Sequence, residues 1–186
     1  NYFICEANPR TVEILKRNFA LNGLVPAVTH VALAPKDGQV DLEIEGDFWD
    51  HSIVPGRSEH GRKTMTVPAA TLATLLQTIR CPVNALLIDI EGAEQFIAFE
   101  QLPENINKII IELHPKVLGP STMYNLIARL IHRGFHVARE HDGTFVFLKT
   151  MQSKISESPI TESLATSPSL QQILQRNAAG NAPAPA

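Results

Sequence analysis

One stretch constrains this chain more than any other: Ala85-Leu86-Leu87-Ile88-Asp89-Ile90-Glu91-Gly92-Ala93-Glu94. An unbroken apolar run stops abruptly in carboxylates and one glycine. Such a run reads as a strand buried on both faces, whose polar end must reach solvent or a ligand. Gly92 lets the backbone approach a ligand or adopt a conformation other residues resist. Helical character follows, so the stretch is a strand-loop-helix junction. In an open parallel sheet, ligands sit just beyond the carboxyl ends of the strands. Asp89, Glu91 and Glu94 are placed there.

A second run repeats the pattern. Lys108-Ile109-Ile110-Ile111-Glu112-Leu113-His114-Pro115 is another buried strand, ending in a carboxylate and an imidazole. Two neighbouring strands would bring Asp89, Glu91, Glu112 and His114 to one rim.

The motifs IDIEGAE and IIIELHP together resemble the FkbM-type methyltransferases, which use S-adenosylmethionine (SAM). Ile4-Cys5-Glu6-Ala7-Asn8-Pro9, Leu15-Lys16-Arg17-Asn18 and Leu21-Asn22-Gly23 look like that family's second strand and helix. The resemblance covers roughly residues 2 to 149, a domain-sized unit. It implies an α/β fold of the Rossmann-like class I methyltransferase type, mostly parallel, with a C-terminal antiparallel hairpin. The family's first strand and glycine-rich loop have no counterpart in this sequence and would lie upstream of Asn1. The chain also opens inside a strand without Met, so it is expected to be N-terminally truncated. The absent strand would lie between the strands at Tyr2 to Cys5 and Leu86 to Ile90. Those two should then stand unpaired across a slot or close into a direct pair.

Composition removes some classes. The 186 residues carry a formal charge of −3, and no Lys/Arg-rich face suggests a nucleic-acid partner. No apolar run approaches the roughly 20 residues of a membrane span. No signal peptide is visible, so a cytoplasmic location is expected. Cys5 and Cys81 form no metal or disulfide pattern and read as small buried hydrophobes. The oligomeric state is not legible.

Along the chain, Tyr2 to Cys5 reads as a buried strand. Asn8-Pro9 opens a helix carrying Val12, Leu15 and Phe19 on one face and stopped by Gly23. Val28 to Ala32 is a third strand, Asp37-Gly38 a turn, and Val40 to Ile44 a half-exposed strand. Residues 46 to 63 read as a long loop of the binding or lid kind. Thr64 to Val67 resumes a strand. A helix over about Ala70 to Ile79 follows, without the acidic residue the family usually has in its first turn, which suggests a lost cap or surface contact. A helix over about Ala93 to Leu102, the Ile109 strand and an amphipathic helix over Ser121 to Arg133 come next. His141-Asp142-Gly143 then joins two hairpin strands. Residues 1–150 form the expected domain. Residues 151–186, rich in Ser, Thr, Pro, Gln and Ala, form an expected disordered tail with a weak helix near Leu170 to Arg176.

Each site residue has a structural alternative. Glu6, at the end of its strand, can accept from both ribose hydroxyls of a nucleotide, or can favour the helix that starts at Pro9. The resemblance selects the ribose role, and it groups Ala32, Asp89 and Glu91 with Glu6 as cofactor-binding. Acidic residues at a helix start also satisfy free amides, but a cap needs only one of them. Glu94 stands between the two roles. The catalytic candidates are Asp89, His114 as general base, and Glu112, which would orient His114 or bind substrate. His51 and Ser52 in the long loop are candidates for substrate contact.

The resemblance implies methyl transfer from SAM to an oxygen of a sugar or other hydroxylated small molecule, with no metal assigned. Two rivals remain. One is a metal-dependent enzyme using Asp89, Glu91, Glu112 and His114 as ligands. The other is a nucleotide-binding module without catalysis.

Overall fold

A computed structural model describes residues 2–44, 51–55 and 63–149. The chain divides into two units, Asn1–Thr150 and Met151–Ala186. The expected tail and most of the expected loop over 46–63 lie outside the described residues.

Strand β1 (Phe3–Glu6) leads into helix α1 (Pro9–Leu21) and pairs in parallel with β2 (Ala27–His30). The Asn8 side chain accepts from the Arg10 N–H at 2.9 Å, and Pro9 fills the first helical position. The helix start is therefore the expected one. The third strand is not. It is split after His30: β2 stays with β1, while β3 (Ala32–Leu33) joins another sheet, parallel to β6 (Lys63–Ala70). Burial explains the switch, because Ala32 packs with Leu42 and Val67 in a small separate core. Strand β4 (Gly38–Ile44) runs antiparallel to β6, and β5 (His51–Ser52) lies on its other edge.

Helix α2 (Leu72–Thr78) keeps a cap. Thr71 Oγ1 accepts from the Thr74 N–H at 3.2 Å. The acid missing from the first turn comes from elsewhere: Asp37 accepts from the Thr71 N–H and the Thr74 hydroxyl, both at 2.8 Å. A carboxylate favours a helix start whichever part of the chain supplies it.

The largest sheet has the order β7 (Ala85–Ile88), β8 (Lys108–Glu112), β10 (Thr144–Lys149), β9 (Phe135–His141). Strands β7 and β8 are parallel, and the other two pairings are antiparallel. Asp142 and Gly143, at φ 50° and 83°, form the expected two-residue hairpin turn. Helix α3 (Pro115–His132) starts earlier than expected and breaks at Gly119, which adopts φ 72° beside Pro120. The core contains Phe99, Ile106, Ile109, Ile111 and Phe147, all fully buried.

Four expectations need correction. The sheet is not mostly parallel. Three pairings are parallel and four antiparallel among the described residues, in three separate sheets. Strands β1 and β7 are not buried on both faces: Tyr2, Phe3 and Leu87 are exposed. Among the described residues each of these strands has one ladder partner, β2 and β8 respectively, and they do not pair with each other. Cys5 is exposed on β1 for the same reason, and Cys81 is partly exposed. Finally, residues 93–102 are not one helix. They form two 3₁₀ turns, Ala93–Phe96 and Phe99–Gln101, around an extended Ile97. Ile97 and Phe99 are both buried, whereas a continuous helix would turn them about 200° apart. No helix among the described residues is long and apolar enough to cross a membrane.

Candidate functional site

The parallel register of β7 and β8 sets Ile88 beside Ile111. The polar residues that follow each strand therefore emerge together. Beyond Asp89 the chain turns through two successive left-handed residues, Glu91 at φ 53° and Gly92 at φ 96°. A Cβ on Gly92 would lie 2.4 Å from Val117 Cγ1, so both space and conformation demand glycine here. Glu91 bears a side chain in a conformation that costs energy. Its carbonyl is held by the Ser52 hydroxyl at 2.7 Å, and that hydroxyl accepts from the Val54 N–H at 3.1 Å.

His114, between β8 and α3, is the centre of the site. Its Nδ1 lies 3.1 Å from Glu94 Oε1. A carboxylate accepts and does not donate, so Nδ1 carries the proton. Nε2 then faces Glu91 Oε2 at 3.2 Å, Asp89 Oδ1 at 3.7 Å and Glu112 Oε1 at 4.0 Å. The hydrogen bond to Glu94 is the main cause that raises the His114 pKa above its ordinary value, and the other carboxylates add to it. Burial raises the Asp89 pKa, helped by the like charges of Glu112 and Glu91. Asp89 and Glu112 are about half exposed, so the rim is open to a ligand.

Glu94 does not act as a simple helix cap. It is fully buried, and Oε1 also accepts from the Ile90 N–H at 3.3 Å. Its Oε2 is buried without a hydrogen-bond partner. The only sequence signal for this role is a carboxylate at a position flanked by buried Ala93 and Ile97.

The structure brings together Asp89, Glu91, Glu112 and His114, with Glu94 behind them. Glu6 is not in direct contact with this group. Its Oε1 accepts from the Asn8 N–H at 2.7 Å, beside the start of α1. Asn8 Nδ2 in turn donates to His51 Nε2 at 3.2 Å. His51 and Ser52 thus link the end of β1 to the Glu91 turn. Ser52 is 3% exposed and committed to backbone, so substrate contact, as expected from sequence, does not fit it. Ala32 is buried in the small core with Leu42 and Val67.

The comparison that decides the family is one model, described as the Methyltransferase FkbM domain, which matches residues 1–137. The chain belongs to the FkbM methyltransferase family. The match includes every residue of the His114 cluster, together with Glu6 and the Ser52 link. Neither a curated protein nor a solved structure matches the chain. In this FkbM chain the carboxylates and the imidazole converge at the ends of two adjacent parallel strands. That arrangement can bind hydroxyl groups, accept a proton or hold a cation.

Proposed function

We propose that this FkbM methyltransferase uses SAM to methylate an oxygen of a sugar or other hydroxylated small molecule. The observation that carries this reading is His114, held on one nitrogen by buried Glu94 and facing the half-open rim with the other. When bound, SAM supplies an activated methyl group on a positively charged sulfur. The residues present suit it. Glu6 uses one oxygen on Asn8 and keeps its remaining acceptor capacity for ribose hydroxyls. Asp89 and Glu91 provide the negative surface that a sulfonium and a hydroxylated acceptor both favour. Ala32, at the start of β3, joins Glu6, Asp89 and Glu91 in the proposed cofactor-binding set. The acceptor hydroxyl would lie against Asp89, Glu112 and His114, and His114 Nε2 would take its one proton as the oxygen bonds to the methyl carbon and the bond from that carbon to the SAM sulfur breaks. Alignment of these groups supplies much of the barrier reduction.

Calorimetric titration with SAM, together with transfer of labelled methyl to a panel of polyols and sugars, tests the reading. Glu6→Ala should weaken SAM binding about tenfold or more. His114→Ala should leave that affinity near wild type and lower turnover by roughly 10²-fold or more. Absence of SAM binding in the wild type, or equal affinity in Glu6→Ala, overturns it.

A further inference from the structure

Two adjacent residues of β5 are bonded to two different parts of the molecule. Ser52 is buried, and its hydroxyl uses both of its roles. It donates to the Glu91 carbonyl at 2.7 Å and accepts from the Val54 N–H at 3.1 Å. His51 Nε2 accepts from Asn8 Nδ2 at 3.2 Å. The direction of that bond is fixed. Asn8 Oδ1 accepts from the Arg10 N–H at 2.9 Å, and a flipped amide would forfeit this helix cap. Asn8 is itself buried, and its own N–H bonds Glu6 Oε1 at 2.7 Å.

These bonds join two regions that strand pairing leaves separate. Glu6 ends β1 in the two-stranded sheet, and Glu91 follows β7 of the largest sheet. Among the described residues the two sheets share no strand pairing, and β5 belongs to the third sheet. Neighbouring Cα atoms are about 3.8 Å apart across a trans peptide, so a two-residue strap has little slack. At one end it meets a turn that needs holding. Glu91 carries a side chain at φ 53°, a conformation that persists only where its surroundings enforce it. Val54 packs over the same turn, with Cγ2 3.6 Å from where a Cβ on Gly92 would sit. From that turn the Glu91 carboxylate reaches His114 Nε2 at 3.2 Å.

We infer that His51 and Ser52 are positioning residues, which together fix the distance between Glu6 and the Glu91 turn. They act through Asn8 and the Glu91 backbone. A ligand that touches both ends, with ribose at Glu6 and the sulfonium side at Glu91, then binds without having to order them first. The two bonds work in series. Cutting either one frees the spacing, and cutting both frees it little further. The cofactor side of the inference rests on the SAM reading above, whereas the setting of Glu91 against His114 does not.

Calorimetric titration of the full chain with SAM tests the cofactor side. His51→Ala and Ser52→Ala should each weaken SAM binding about three- to tenfold. The double variant should bind within about twofold of the weaker single variant. Ile131→Val, in the last turn of α3, loosens the core without touching the strap and should keep wild-type affinity. Unchanged affinity in both single variants, or losses that multiply in the double, overturns the inference. The His114 ring gives a second readout that needs no ligand. In NMR spectra without SAM its signals should move in His51→Ala, although the bond removed is to Asn8, and stay in place in Ile131→Val. If Ser52→Ala fails to fold, His51→Ala, at a partly exposed position, carries both measurements. Unmoved His114 signals overturn the strap whether or not SAM binds. A wild-type chain that does not bind SAM, while His114 responds to His51→Ala, sinks the SAM reading and upholds the strap.

Discussion

Glu94, fully buried, sets Oε1 3.1 Å from Nδ1 of His114 and so decides which ring nitrogen faces the open rim. Glu94→Gln keeps the shape and removes the charge. His114 should then titrate at a lower pH than in the wild type, since the Glu94 hydrogen bond is the largest cause of its raised pKa. The sign for stability follows. A raised histidine pKa contributes stability below about pH 6.5, and this is lost as pH rises through the folded-state value. NMR titration of His114 checks the first and urea unfolding across pH the second, and an unmoved His114 in the variant would refute the assignment.

Ser52→Ala should destabilise the protein by about 1 kcal/mol or somewhat more. It removes one donor from the Glu91 carbonyl and one acceptor from the Val54 N–H at a buried position. Urea unfolding measures this.

Gly92→Ala should lose roughly 2–4 kcal/mol, combining left-handed strain with collision against Val117. Adding Val117→Ala relieves the collision and leaves the strain. Thermal melts of both variants should therefore show partial recovery in the double variant. Full recovery would mean that φ at Gly92 does not matter.

The Arg129 side chain bonds both oxygens of Glu100 and lowers its pKa from 4.5 to about 2. A lowered carboxyl pKa gives stability above the unfolded value, lost as pH falls through the folded one. Glu100 is mostly exposed, so the contribution is small and screened by salt. NMR titration should place its carboxyl near 2 in the wild type, and clearly higher in Arg129→Gln, where the largest lowering cause is gone.

Much of the site was legible because apolar runs with polar ends are a one-dimensional signal. Asp89, Glu112 and His114 follow directly from it. The hairpin at Asp142-Gly143 and the cap at Asn8 were legible too, since each depends on local chemistry. What escaped depended on partners distant in sequence. Asp37 capping α2 and Ser52 holding Glu91 are contacts across 34 and 39 residues. Strand Val28 to Ala32 splits because Ala32 finds its core with Leu42 and Val67. The burial of β1 and β7 was misjudged for a related reason: an apolar strand reads as buried whether or not neighbours cover it.

Arg129 of α3 and Arg133, which caps its end, bind two carbonyls of the segment 93–102, which is not one continuous helix. Arg129 donates to the Ile97 carbonyl and Arg133 to the Leu102 carbonyl, each at 2.7 Å. Arg133 also meets Glu104, which in turn is bonded by Lys149 of β10. The segment that carries Glu94 is thus tied to α3 by side chains and not by its own amides. In hydrogen exchange, such a segment should open as one unit with α3 and not fray by itself. The imidazole's buried partner would then be lost only when the helix lets go.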